Sequence, residues 1–260
     1  MFKRFISSAK DALFPKNYTC DVCGRETFGT NLCGDCEKQV TFNNRDTCPV
    51  CGRMTLKPEI CRECKDRLPA FKKAISPLVY DGATISLMAK FKNGSAYLKE
   101  YFADLICAKS GELPHVDCMV YVPMTKKSQK KRGYNQVKLL AEAVAKRTDI
   151  PLLKNCVIKI KDTAVQKGLS QKERESNLAG CFKITDKNAV EGKAVLCVDD
   201  VLTTGATAEE ICKTLLKAGA NSVYFATVAS VEDKVQKRTR EENERRLKGR
   251  NIAEKNAAED

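Results

Sequence analysis

Asp199 and Asp200 stand side by side, and Thr203, Thr204, Gly205, Ala206 and Thr207 follow within a few residues. The residue types suggest a division of labour. Carboxylates suit ribose hydroxyls or a Mg²⁺ ion, whereas hydroxyls and free backbone N–H groups suit a phosphate. The flanks must position them. Val195, Leu196, Cys197 and Val198 are four consecutive apolar residues, which predicts a strand buried on both faces of a parallel sheet. Ala208, Ile211, Cys212 and Leu215 recur at helical spacing, so a helix is predicted from near Gly205, and Gly219 is placed to end it. Strand, hydroxyl-rich loop and helix N-terminus together make a phosphate cradle. The loop has no Lys, so it is not the G-x-x-x-x-G-K-[ST] P-loop. An ordinary strand-to-helix turn with a Thr cap is the alternative, and it leaves both the acid pair and the hydroxyl loop unexplained.

This stretch resembles, position for position, the thirteen-residue motif with which type I phosphoribosyltransferases bind phosphoribosyl pyrophosphate (PRPP). The resemblance implies that Asp199 and Asp200 hold the ribose 2′- and 3′-hydroxyls. It gives the 5-phosphate to Thr203, Thr204, Gly205, Ala206 and Thr207, and it implies magnesium bound with PRPP.

Eight of the fourteen cysteines carry a second chemistry. Cys20, Cys23, Cys33 and Cys36 are repeated twenty-eight residues later as Cys48, Cys51, Cys61 and Cys64, each copy reading C-x₂-C-x₉-C-x₂-C. The constant offset marks an internal duplication. Two C-x₂-C turns complete a tetrahedral Cys₄ site without an open position, the form of structural zinc, so about two zinc ions are expected, paired sequentially within each copy. Disulfides are disfavoured by the reducing cytosol that a cysteine-rich chain without a secretion signal suggests. An Fe–S cluster does not favour this ribbon-like spacing. Each copy has too few apolar residues for its own core, so metal must supply the folding energy, on the order of 10 kcal/mol per site.

The chain has 260 residues and a net charge of +13. One ordinary domain and a small one fit that length, and such a charge favours anionic partners. No run of eighteen apolar residues is present, so no transmembrane segment is expected, and the expected location is cytoplasmic. Residues 1–16 suggest an amphipathic lead helix, 17–68 a double zinc ribbon, 74–230 an α/β domain, and 231–260 a charged tail, solvated helix or disordered. Cys197 and Cys212 read as core. His115, the single histidine, lacks a partner for a ligand set or catalytic dyad and reads as a surface residue.

Between ribbon and motif, strands and helices alternate. A strand is predicted over Ala74 to Tyr80, a short helix over Ile85 to Phe91, then a longer one capped by Ser95. Cys118 to Pro123 is an apolar strand. Met124 to Lys138 reads as a basic loop, carrying Lys126, Lys127, Lys130, Lys131, Arg132 and Lys138 and no acid. This order implies a mainly parallel sheet, whose ligands lie beyond the carboxyl ends of the strands. The basic loop and the acid–threonine loop then share an edge, and Lys126 and Lys127 become candidates for a pyrophosphate. A solvated basic patch is the alternative. The polar stretch from Lys159 to Gly180 is long enough to be a lid.

In combination these features resemble the ComF family of bacterial competence proteins. The resemblance rests on the double ribbon after Leu13-Phe14-Pro15, on Val122-Pro123 leading to Lys131-Arg132-Gly133-Tyr134-Asn135-Gln136, on Asp162-Thr163 with Gln166 and Gly168-Leu169-Ser170, and on the PRPP motif. Ala164-Val165 and Met124-Thr125 depart from the family pattern. Membership implies a type I phosphoribosyltransferase-like fold and a role in DNA uptake during natural transformation, with single-stranded DNA and competence machinery proteins as partners. The alternative is a phosphoribosyltransferase that displaces pyrophosphate from PRPP with a nitrogen nucleophile in nucleotide metabolism. For DNA, the basic run is a candidate contact, with Tyr134 as an exposed stacking residue and Arg25, Arg53 and Arg62 as ribbon contacts.

Overall fold

A computed structural model of the chain describes residues 19–27, 29–44, 46–161 and 178–233, together with 238, 239 and 242. The expected lead helix, most of the expected lid and most of the expected tail lie outside the described residues. Among its described residues the ribbon contributes two short helices, α1 (Gly34–Glu37) and α2 (Arg62–Asp66), each entered directly from a cysteine. The body follows with β1 (Lys73–Ile75), β2 (Leu78–Val79), α3 (Gly82–Lys92), α4 (Leu98–Lys109), β3 (Cys118–Tyr121), α5 (Lys126–Arg132), α6 (Gln136–Thr148), β4 (Val157–Lys159), β5 (Phe182–Ile184), β6 (Ala194–Leu202), α7 (Ala206–Lys217) and β7 (Ser222–Ser230).

The main sheet runs β1-β7-β6-β3, with β2 also on β7, and every pairing in it is parallel. That is the expected consequence of apolar strands separated by helices long enough to cross back. Val195 to Val198 are buried without alternation, as a strand covered on both faces requires. The helices α4 and α6 pack on each other and on the sheet. At the α3–α4 contact Phe91 meets Phe102 edge-on at 5.2 Å, and both are fully buried. A separate antiparallel pair, β4–β5, packs against α7 through β5.

The second ribbon copy is seated on the β1 side of this sheet. Ala74 N donates to Val50 O at 2.8 Å. Asn43 Nδ2 donates to the carbonyls of Gly52 and Ser76 at 2.6 and 2.9 Å. Gly52 has φ +66°, and a Cβ there would lie 2.4 Å from the Ala74 carbonyl oxygen, so the close approach requires glycine. The first copy is tied through Tyr97 Oη donating to Asp21 Oδ1 at 2.5 Å and, just past its last cysteine, through Val79 N donating to Thr41 O at 2.9 Å.

Several expectations change. The strand expected over Ala74 to Tyr80 is broken in two at Ser76-Pro77, where the proline removes a ladder donor. Helix α4 begins at Leu98 rather than under a Ser95 cap; Ser95 contributes its carbonyl to Leu98 N at 3.1 Å. The basic loop is largely helical: Thr125 Oγ1 accepts from Ser128 N and starts α5. The expected tail is not solvated from its first residues. Glu232 and Asp233 are buried, and Asp233 Oδ2 accepts from Arg62 N at 3.3 Å.

Candidate functional site

Strand register places the two predicted loops together. Tyr121 stands opposite Val198, and Val122 N donates to Val198 O at 2.9 Å. The chain leaving β3 therefore emerges beside the point where β6 reaches Asp199 and Asp200. Both acids are part-buried at the carboxyl end of β6, Thr203 and Thr204 form the turn, and Ala206 and Thr207 open α7. Gly205 caps that helix with φ +78°, the left-handed conformation that a side chain disfavours. Thr204 Oγ1 accepts from Ala206 N at 3.4 Å. Asp199, Thr203, Thr204, Gly205 and Thr207 line one small cavity, together with Thr227 of β7.

The acids are not equivalent. Asp200 Oδ2 lies 3.0 Å from Lys92 Nζ and accepts from Gln136 Nε2 at 3.0 Å. Gln136 in turn accepts from Arg132 at 2.8 Å. Burial by itself would lower the Lys92 ammonium; the charge of Asp200 outweighs that and raises it. Among the described residues, no such cation contacts Asp199. Burial, and then the neighbouring Asp200 charge, push its carboxyl up to about 8. Its Oδ1 accepts the Asp200 N–H at 2.8 Å.

Lys126 and Lys127 occupy the first turn of α5 and are exposed, with no hydrogen bond or ion pair to the acid pair among the described residues. Lys92 and Gln136 are the contacts that sequence reasoning missed. Gln136 belongs to the Lys131–Gln136 motif, which could have flagged it. Lys92 ends a helix in the ordinary place for a cation, and nothing in its local sequence distinguishes it. Tyr134, expected as an exposed stacking residue, is part-buried and already engaged: its hydroxyl donates to the Phe91 carbonyl and accepts from Gly94 N at 3.1 Å. Arg53, expected as a ribbon contact for DNA, is 4% exposed and bonded to Glu63 and to the Thr203 carbonyl. Arg25 and Arg62 are exposed.

The cysteines gather in two sequential sets. The sulfurs of Cys20, Cys23, Cys33 and Cys36 lie within 4.8 Å of one another, and so do those of Cys48, Cys51, Cys61 and Cys64. Crossed pairing between the copies is thereby excluded. The separations Cys23–Cys33 and Cys51–Cys61 are 3.7 and 3.5 Å, close to the ~3.8 Å edge of a tetrahedron with Zn–S near 2.3 Å. Backbone N–H groups of Val22 and Cys61 point at the Cys20 and Cys48 sulfurs at 3.4 Å. Arg25 donates to Cys23, pulling that thiol down to about 6. These contacts favour thiolates at Cys20, Cys23 and Cys48, and the donor sets fit zinc. Cys197 and Cys212 are fully buried, and His115 is a surface residue 3.6 Å from Asp117, as expected.

Comparison with known proteins agrees with both parts. Residues 9–65 match the double zinc ribbon domain family, and residues 138–256 match the phosphoribosyl transferase domain family. Competence protein F of Haemophilus influenzae is 38% identical over 124 residues, 47% of this chain and 54% of that protein. Over that span the chain is similar to competence protein F. DNA utilization protein YhgH of Salmonella typhi is 34% identical over 119 residues, 46% of this chain and 52% of that protein. The matches thus span about half the length of these relatives. A solved glutamine PRPP amidotransferase from B. subtilis, complexed with ADP and GMP, is 21% identical over 54% of this chain and 30% of its own, with a TM-score of 0.37. The fold is the parallel-sheet α/β fold of type I phosphoribosyltransferases, preceded by a Cys-rich double zinc ribbon. No helix among the described residues is long and apolar enough to cross a membrane.

Proposed function

We propose that this chain binds PRPP with Mg²⁺ at the β6–α7 loop and handles single-stranded DNA in natural transformation, in the cytoplasm and alongside competence machinery proteins. The observation that carries the reading is the acid pair and threonine loop emerging at the same sheet edge as the basic α5. The similarity to competence protein F and to a DNA utilization protein supports the DNA role. Two structural zinc ions hold the ribbons. Asp199 and Asp200 receive the ribose hydroxyls, and Thr203 to Thr207 receive the 5-phosphate, with Lys126 and Lys127 in reach of a pyrophosphate. Magnesium, when bound with PRPP, neutralises the charge of the pyrophosphate. On the protein's side, Lys92 and Gln136 orient the Asp200 carboxylate.

Calorimetric titration of PRPP with and without Mg²⁺ tests the pocket. Binding by the wild type, and its loss in a folded Asp199→Asn/Asp200→Asn double variant, is the expected result; unchanged affinity in that variant refutes the assignment. Pyrophosphate release against a panel of bases and amines then separates a transferase from a binding protein.

A further inference from the structure

Arg53 joins the second ribbon to the threonine loop. Its guanidinium donates through Nη1 to Glu63 and through Nη2 to the Thr203 carbonyl, and its side chain is almost wholly buried. Twenty-eight residues earlier the same motif ends in Arg25, which pairs with Asp35 at 2.9 Å out in solvent. The duplication has kept the arginine–acid pair in both copies and turned one of them inward.

The inward copy acts on a rigid object. In a trans peptide the carbonyl and the following N–H lie in one plane and point in opposite directions, and no cis bond occurs among the described residues. Holding the Thr203 carbonyl toward the ribbon therefore turns the Thr204 N–H away from it. Thr204 and Gly205 border two cavities: one is also lined by Cys51, Arg53 and Glu63; the other, also lined by Asp199, Thr203 and Thr207, has no ribbon residue in its wall. A charged donor on the carbonyl also polarises the peptide and strengthens its N–H.

We propose that Arg53 is a positioning residue for a sugar phosphate: through the Thr203 carbonyl it holds the Thr204 N–H toward the anion. The second ribbon, and not the first, then sets the affinity of the loop. This rests on the PRPP reading above.

The test uses the full chain and three probes: ribose 5-phosphate, PRPP with Mg²⁺, and pyrophosphate with Mg²⁺. Arg53→Gln is expected to weaken the two sugar phosphates by about ten- to a hundredfold, the worth of one charge-assisted hydrogen bond, and to leave pyrophosphate unchanged. Arg53→Lys keeps the charge without the fork and should restore part of the loss, whereas Asp35→Asn, in the first copy, should have no effect. The Thr204 amide resonance should shift in both Arg53 variants. Equal loss on all three probes, unchanged sugar-phosphate affinity, or an unmoved Thr204 amide in folded Arg53→Lys overturns the proposal. If the wild type binds neither sugar phosphate, the PRPP reading fails by itself. The Thr204 amide and its response to inorganic phosphate then decide the role of Arg53: a response weakened in Arg53→Gln supports it, and an identical response overturns it.

Discussion

Lys92 Nζ lies 3.0 Å from Asp200 Oδ2, which makes a lysine at the end of α3 the resident counter-ion of the acid pair. The pair is thereby split. Asp200 is paired with a cation and a Gln136 amide, whereas Asp199, buried beside it, keeps its proton into the neutral range. Asp200→Asn should cost about 1–3 kcal/mol of stability by leaving Lys92 part-buried without its partner. Asp199→Asn should cost much less at neutral pH, since it replaces a neutral acid by a neutral amide. Chemical denaturation of the two single variants checks the order.

The raised Asp199 carboxyl has a pH signature. Below about pH 4 it is protonated in both folded and unfolded chains. As pH rises toward about 8, the unfolded chain releases the proton while the folded protein retains it, so this group's contribution to stability falls across that window and levels off above it. Asp199→Asn should therefore gain on the wild type from about pH 5 to about pH 8. Urea midpoints across that range measure it, and parallel curves would rule it out.

Metal content should follow the two cysteine sets. We expect two zinc ions per chain, falling to about one in Cys51→Ser and staying at two in Cys197→Ser, because Cys197 is buried in β6 far from either set in the sequence. Elemental analysis reads the count. Iron in place of zinc would contradict the assignment, and chelation should melt the ribbons first.

The two knuckle glycines should respond differently. Both have positive φ, +77° at Gly24 and +66° at Gly52, but a Cβ at Gly24 meets nothing within 4 Å. Gly24→Ala should cost about 1 kcal/mol for its backbone alone. Gly52→Ala must also push the Ala74 backbone away and should cost roughly 3 kcal/mol or more. Thermal melts of both variants separate the terms.

The exposed face of α5 should govern binding to single-stranded DNA. Replacing Lys126, Lys127, Lys130 and Lys131 by Gln should weaken binding and reduce its salt slope by about 3, close to 0.7 per lost phosphate contact. Fluorescence anisotropy at several salt concentrations provides the slope. An unchanged slope would move the DNA to the ribbons, where Arg25 and Arg62 are exposed. Competition by PRPP would place the two ligands on one edge.

The parts of the site that were legible in the sequence are those set by local pattern. Four apolar residues, two acids and a threonine loop define β6 and its turn, and constant cysteine spacing defines the ribbons. Contacts between distant elements left no such trace. Lys92 reaches Asp200 across 108 positions and Arg53 reaches Thr203 across 150. Arg53 looked like Arg25 because the duplication preserved its surroundings in sequence, although only one copy lies against the sheet. Tyr134 looked available for stacking because a basic run surrounds it, yet its hydroxyl is held by the end of α3.

The unequal seating of the two ribbons also makes them unequal as parts. The second is stitched to β1 by main-chain bonds and a glycine without clearance. It has no room to grow, and homologous chains should show few insertions there. The first is tied through Asp21 to Tyr97 and, past its last cysteine, through Thr41 to Val79. Its exposed surface should tolerate change to suit a new partner while the threonine loop keeps its shape.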